Sequence, residues 1–312
     1  MIWHTVGVSC LVDWRLLQRG LAVKLLEGDQ PPTLSLFDQI GRKTHQKKCS
    51  YSRYAEEVIP GKAPRTQRDN RAELENLKKA FGHIANPAMV KPIHVYQYLD
   101  ARGKVARTRA NREFSLLSHI FSYAIRWGIV ESNPCRDVKK FSEKPRSRYV
   151  QDWEYQAVYN LSPPLIQAAM ELAVITGMRQ GDILAIKRYD MTEEGLSIIQ
   201  AKTGKKQIFE STPALRAAID QALNIERTAS SFWVFATSTG TRITSSGFQT
   251  AWQRLMNTAI EKAVIKERFT FHDLRAKAGS EAEDGTRLLG HQSPATTNRI
   301  YKRKAEKVKP IR

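Results

Sequence analysis

From Ala63 to about Val138 every readable apolar pattern has helical spacing, and at Phe141–Arg148 that pattern stops. Pro64 opens a polar helix through Thr66–Phe81, which Gly82 ends. Pro92 starts a second helix, to Ala101, with Gly103 as its stop. Ala106–Trp127 is the third and longest; Phe114, Leu117, Ile120, Phe121 and Ala124 share one face and form core, and Gly128 closes it as a C′ residue. The polar, basic stretch FSEKPRSR (Phe141–Arg148) reads as an interdomain linker, or as a strap along a polyanion. A chain of 312 residues with such a break is expected to hold more than one core.

Beyond Tyr149 the pattern turns mixed. Helices are expected at 152–161, 163–176 and 180–187, and two short strands at Leu196–Gln200 and Gln207–Glu210, joined by the lysine-rich turn Lys202-Thr203-Gly204-Lys205. Pro213–Arg227 is helical, Phe232–Phe235 is a short apolar segment, and Thr244–Ala263 is a helix capped by Thr244 or Ser245. Further helices follow near Asp273, over Glu281–Leu289 and over Ala295–Tyr301. The first sixty residues are less regular: an amphipathic helix over Leu16–Leu26, a break at Gly28–Pro32, then one or two helices within Leu34–Val58. The fold expected is mainly α with a small β-sheet, in three parts: 1–61, 62–145 and 146–312.

Charge falls unevenly on these parts. Lys and Arg number 50 against 31 Asp and Glu, a net +19. Residues 61–150 alone hold 19 basic and 8 acidic side chains, so the middle of the chain is the natural footprint for a polyanion, either nucleic acid or an anionic membrane surface. Arg65 and Arg68 begin its first helix, and Arg107, Arg109 and Arg112 begin its third, where a helix N-terminus favours phosphate; the plainer alternative is a solvated helix start. The His45–Lys48 cluster reads more simply as a solvated face. Cys10, Cys49 and Cys135 have neither metal nor redox spacing and fit reduced thiols of a cytoplasmic protein. Met1–Val12 lacks the charged start of a signal peptide, and no apolar run reaches the length of a membrane span.

Five residues could carry chemistry. Arg179 follows Gly177 at the end of an apolar helix; it either pairs with Asp182 as an ordinary helix-terminal arginine or clamps a phosphate with Asp182 orienting it from i+3. His272 and Arg275 share a face at the start of a helix. His291 follows Gly290, a place where histidine is usually a structural hydrogen-bonder, and a lone Tyr301 is usually packing. Only the ordered set raises the functional reading above these plain ones.

That set resembles the tyrosine recombinase family, specifically the phage and prophage integrases. The resemblance rests on Thr-Gly-Met-Arg179-Gln-Gly-Asp182, His272-Asp-Leu-Arg275, Leu-Leu-Gly-His291, and Thr296-Thr297 ahead of Tyr301. The family's hairpin lysine matches Lys202, with Lys205 and Lys206 as rivals, and Trp127-Gly128-Ile129 with Asn133-Pro134 is similar to the end of the family's helical core-binding domain. The likeness covers about 62–312. It implies a helical core-binding DNA-binding domain followed by an α+β catalytic domain; residues 1–61 do not clearly show the family's small β-sheet arm-binding domain, which is either reduced, absent or cut away. Arg275 to His291 spans sixteen positions, shorter than is usual in the family, so the intervening helix should be trimmed.

The resemblance implies a site-specific DNA recombinase that cuts and rejoins attachment sites through a 3′-phosphotyrosyl intermediate, for integration or excision of a mobile element. Tyr301 would be the nucleophile, Arg179, Arg275 and His291 the donors to the phosphate, His272 the base and Lys202 the acid. A free phenol is under about 1% ionised at neutral pH, so a base or a strongly positive site is required. No metal and no cofactor is implied, and the chain lacks both a phosphate-binding glycine loop and a clustered carboxylate site, which disfavours a metal-dependent DDE transposase. The implied partners are double-stranded DNA, a homotetramer assembled on it, and accessory DNA-bending proteins, in the bacterial cell interior. The rivals are a type IB topoisomerase-like relaxing enzyme, which shares this chemistry, and a DNA-binding regulator without cleavage.

Overall fold

A computed structural model describes residues 50–84, 86–305 and 308–311. The helix expected over Leu16–Leu26 and the His45–Lys48 cluster lie outside the described residues. Two compact units divide between Glu143 and Lys144.

In the first unit, helix α1 (Ser50–Glu57), helix α2 (Pro64–Phe81) and helix α3 (Pro92–Arg126) enclose one core. Tyr54, Leu74, Leu77, Val95, Leu117 and Ile120 are buried in it, placed there by three- and four-residue spacing. The chain does not stop at Gly103 as expected. α3 spans 35 residues as two helices that meet across a kink at Ala106, where φ −159° and ψ 89° leave the helical region. Gly103 answers a different need: a Cβ there would stand 2.4 Å from Cζ of Phe141, so the glycine is the seat for that ring. The buried Glu113 carboxylate spans the break, accepting from Tyr98 at 2.8 Å and Arg102 at 2.8 and 3.1 Å on one side and from Asn76 of α2 at 2.8 Å. α3 ends at Arg126, and Gly128 follows in the left-handed region.

Most of the expected linker is tied down. Phe141 N–H donates to Asn111 Oδ1 at 3.0 Å, and Asn111 Nδ2 donates to Phe141 O at 2.9 Å and Glu143 Oε1 at 2.6 Å. Past the division, Arg148 donates to Glu154 at 2.6 and 3.0 Å. Each end of the expected linker is thus held within its own unit, by a two-way amide pair in the first and a guanidinium–carboxylate fork in the second.

The second unit begins with helix α4 (Asp152–Leu161) and helix α5 (Pro164–Thr176), the latter apolar nearly all round and buried. Helix α6 (Gln180–Ile183) is one turn rather than two. The chain leaves it because Ile186 O accepts from Val234 N–H at 3.0 Å and Arg188 N–H donates to Phe232 O at 2.9 Å, pairing this stretch with the apolar segment 232–235. Strands β1 (Gly195–Ile199) and β2 (Lys206–Glu210) form an antiparallel hairpin, Gly195 opposite Glu210 and Ile199 opposite Lys206. Helix α7 (Pro213–Leu223) ends early because Arg227 folds back to donate to Ala222 O at 2.6 Å. Helix α8 (Ser245–Glu261) is capped by Thr244, which accepts from Gly247 N–H at 3.0 Å. Helix α9 (Phe271–Glu281) packs on α5, and helix α10 (Gly285–Leu289) is separate, begun by Asp284 as cap. The trimmed interval expected between Arg275 and His291 is therefore one helix end, a turn and a five-residue helix. A turn at Pro294–Thr296 leads into a π-helical turn at Thr297–Tyr301. The architecture is mainly α with a two-stranded sheet. Among the described residues no helix is long and apolar enough to cross a membrane.

The hairpin opens on a residue that tolerates no side chain. Gly195 sits at φ 136°, and a Cβ on it would stand 1.9 Å from Phe209 O. Gly195→Ala therefore combines a disfavoured backbone with a clash against backbone, together about 2–4 kcal/mol. For a unit of this size, thermal unfolding should move down by roughly 5–10 °C; an unchanged transition would contradict the register.

Candidate active site

Three helices and the π-helical turn at Thr297–Tyr301 bring Arg179, His272, Arg275, His291 and Tyr301 to one place. Gly177 turns the chain out of α5, so that Gly177 O and Arg179 face α9. α9 carries His272 and Arg275 one turn apart. α10 ends at Leu289, and Gly290 then turns His291 back toward Arg275.

Arg275 is the centre. It is 2% exposed. Its Nη1 donates to Gly177 O, and its Nη2 donates to Leu289 O at 2.8 Å and meets His291 Nε2 at 3.2 Å. Nε is buried without a protein partner. Arg275 is also in side-chain hydrogen-bond contact with Tyr301, which raises its pKa against the lowering by burial. The Tyr301 ring lies over this guanidinium, 5.4 Å from Cζ to centroid, and packs against His291 at 4.9 Å. Tyr301 itself is buried, and its Oη meets His272 Nε2 at 3.2 Å.

The histidines are held neutral. Burial pushes His291 down to about 4, and the positive charges of Arg275, Arg179, Lys205 and Lys202 add to this. His272 keeps solvent at one edge, yet desolvation by its surroundings, then Arg275, holds its pKa below the ordinary value. With Arg275 donating to His291 Nε2, the proton of neutral His291 sits on Nδ1 and points to Thr297 Oγ1 at 2.8 Å. His291 is thus an acceptor toward Arg275 here. In the unfolded chain both histidines take up a proton near pH 6.5, and in the folded one only below that. The unfolded state then binds more protons, so stability is full above 6.5 and falls as pH drops from 6.5 toward 4. Urea midpoints at pH 7.5 and 5.0 should differ in that direction, and His291→Gln should shrink the difference.

Arg179 donates to Gln200 Oε1 at 2.6 Å and stands 3.9 Å from Asp182 Oδ2. Asp182 is buried and its other oxygen accepts from Ala201 N–H at 3.0 Å, so it fastens the start of the hairpin turn beside Arg179. Lys202 and Lys205 are exposed on that turn, and Lys206 is exposed at the start of β2. Lys205 bears on His291 more strongly than Lys202 does. Sequence reasoning missed Gln200, which holds Arg179 and reaches Leu289 O at 3.4 Å, and Thr297, which orients His291. A polar residue at a strand end carried no signal for the first; for the second, Thr297 was visible only as part of a motif flank.

In the first unit Arg65, Arg68, Arg107, Arg109 and Arg112 are all exposed. Arg107, Arg109 and Arg112 directly follow the kink at Ala106 and so open the second of the two helices that meet there, as expected from the sequence. Among the described residues no group of three His, Cys, Asp or Glu is placed to hold a metal ion.

Residues 154–307 match the phage integrase family. The chain is 29% identical over 257 residues to the integrase of Escherichia phage HK022, covering 77% of this chain and 70% of that protein. It is 32% identical over 209 residues to the integrase of Enterobacteria phage 434, covering 63% of this chain and 58% of that one. The fold is shared with a lambda integrase dimer bound to a COC′ core site, with a TM-score of 0.70 and 22% identity over 95% of this chain and 90% of that one. It is shared too with a lambda integrase tetramer bound to a Holliday junction, with a TM-score of 0.69 and 20% identity over 98% and 91%.

Proposed function

Because the chain belongs, through residues 154–307, to the phage integrase family of tyrosine recombinases, we propose that it is a site-specific DNA recombinase that cuts and rejoins its attachment sites through a 3′-phosphotyrosyl intermediate. The observation that carries this reading is Tyr301 Oη at 3.2 Å from His272 Nε2, beside the buried charge of Arg275. A phenol next to a neutral imidazole and a fixed cation is set to lose a proton and attack an anionic centre.

In the proposed reaction Tyr301 Oη gives its proton to His272 Nε2 and bonds to phosphorus. The bond from phosphorus to the 5′ oxygen breaks, and that oxygen takes a proton from Lys202. Arg179 and Arg275 stabilise the charge on the non-bridging oxygens, and Asp182 steadies Arg179. Burial is the larger cause of the depressed His291 pKa; arrival of the phosphate offsets the smaller part that the neighbouring positive charges add. A 5′-hydroxyl from a second strand then attacks phosphorus and returns the phenol. The phosphotyrosyl bond retains the energy, so no nucleotide is consumed. Strand exchange between two duplexes takes four protomers, the assembly in which lambda integrase is seen on a Holliday junction. Integration or excision of a mobile element, with accessory DNA-bending proteins, fits the phage relatives.

The test is a nicked suicide duplex carrying the cognate site, incubated in EDTA. A covalent protein–DNA adduct is expected, and none with the cognate site would sink the reading. A two-site assay then separates recombination from relaxation of supercoils.

Arg65, Arg68, Arg107, Arg109 and Arg112 are proposed phosphate contacts. Each lost contact should flatten the slope of log affinity against log salt by about 0.9. Arg107→Ala with Arg109→Ala should therefore reduce the slope by close to two, and an unchanged slope would remove both from the interface.

A further inference from the structure

The segment that carries Tyr301 is fastened to α9 by a buried ion pair that the chemistry above does not use. Arg303 is 5% exposed at its side chain and Asp273 is 1% exposed. Arg303 Nη1 donates to Asp273 Oδ1 at 2.6 Å and to Arg148 O at 3.0 Å, and Nε donates to Ile300 O at 2.9 Å. The Arg303 backbone N–H donates to Ser280 Oγ at 2.8 Å, and the same hydroxyl donates to Tyr301 O at 2.6 Å. Asp273 Oδ2 accepts from Thr270 N–H and Thr270 Oγ1, both at 2.7 Å, which caps α9, and from Arg146 at 3.2 Å.

We propose that Arg303 is a positioning residue for strand cleavage: its ion pair with Asp273, with the Ser280 bridge, latches the nucleophile's segment onto the helix that bears His272 and Arg275, and so sets the Tyr301–His272 contact. This rests on the reading of Tyr301 as nucleophile. Asp273 is the neighbour of His272 and Arg303 stands two residues past Tyr301, so one ion pair joins the base and the nucleophile through rigid backbone on both sides. The attachment is made at two heights of α9, Asp273 at its first turn and Ser280 at its last, which resists both translation and tilt of Tyr301. The π-helical turn at Thr297–Tyr301 needs such an external hold, since π geometry is poor by itself. Arg303 is not a phosphate ligand in disguise: it is buried, and both its Nη1 and its Nε donate to protein oxygens.

Two measurements on the full chain test this, one without DNA. In the free protein, ring-to-ring NOEs between Tyr301 and His272 are expected, and Arg303→Ala should remove them. The same change should raise the His272 titration midpoint, because Arg303, like Arg275 and Arg179, holds that pKa down while Asp273 raises it. In single turnover at saturating suicide duplex, Arg303→Ala should cleave about 10–100-fold more slowly, the scale of an ångström-sized misplacement. DNA affinity should stay within about twofold, and added guanidinium and Arg303→Lys should each restore part of the rate. Wild-type NOEs and wild-type rate in folded Arg303→Ala would overturn the proposal, as would a loss confined to DNA affinity. If Arg303→Ala does not fold, Arg303→Gln takes its place, and failure of both to fold would make the pair purely structural and overturn it. Absence of any adduct with the wild-type chain would instead sink the proposed function, while the NOEs still decide the latch.

Discussion

Tyr301→Phe is expected to form no covalent adduct with a suicide duplex and to cleave roughly 10⁵–10⁶-fold more slowly, the scale on which removing a covalent nucleophile acts. The change is otherwise small. The ring would still lie over Arg275 and against His291, and what disappears is the 3.2 Å contact to His272 and the phenol's contact with Arg275. One hydrogen bond of this kind contributes about 1 kcal/mol, so melting temperature and DNA affinity should barely move. An adduct that survives the substitution would remove Tyr301 as nucleophile, and collapse of the fold would show that the ring environment had been misread.

Arg275→Ala is expected to fail on both counts. Gly177 O and Leu289 O would lose their donor in a place water reaches poorly, at about 1–3 kcal/mol each. Cleavage should fall by about two to three orders of magnitude or more, the usual result of removing one preorganised donor. Arg275→Lys separates the two effects. An ammonium keeps the charge but cannot serve two carbonyls, His291 and a phosphate at once, so stability should recover in part and cleavage hardly at all. Unfolding curves and single-turnover rates on the same three proteins decide this; a lysine variant with near wild-type cleavage would show that charge alone suffices.

What could be read from sequence was whatever leaves a local trace. Gly128 and Thr244 announced helix ends because left-handed backbone and a hydroxyl cap are properties of a few adjacent residues. The five clustered side chains announced themselves through short flanks, though no spacing rule says that α5, α9 and α10 converge. The break in α3 was displaced from Gly103 to Ala106 because the glycine's cause, Phe141, lies 38 positions away. Gln200, Thr297 and Arg303 escaped for the same reason: each matters through contacts made across the fold. The lengths of α6 and α7 were overstated because their ends are set by segment 232–235 and by Arg227, neither of which alters local helical preference.

The amide pairing of Asn111 with Phe141, the seat for its ring at Gly103, and the hold of Arg148 on Glu154 bear on how such a gene can be reassembled. A DNA-level crossover that grafts a new catalytic half onto this helical half inherits intact modules only if it falls in the few codons between Glu143 and Arg146. A junction at codon 139, ahead of the polar stretch, would hand Phe141 to the wrong parent and leave an empty slot along α3. Viable hybrids should therefore keep Phe141 with Gly103, and Arg146 with Asp273, as matched hereditary pairs.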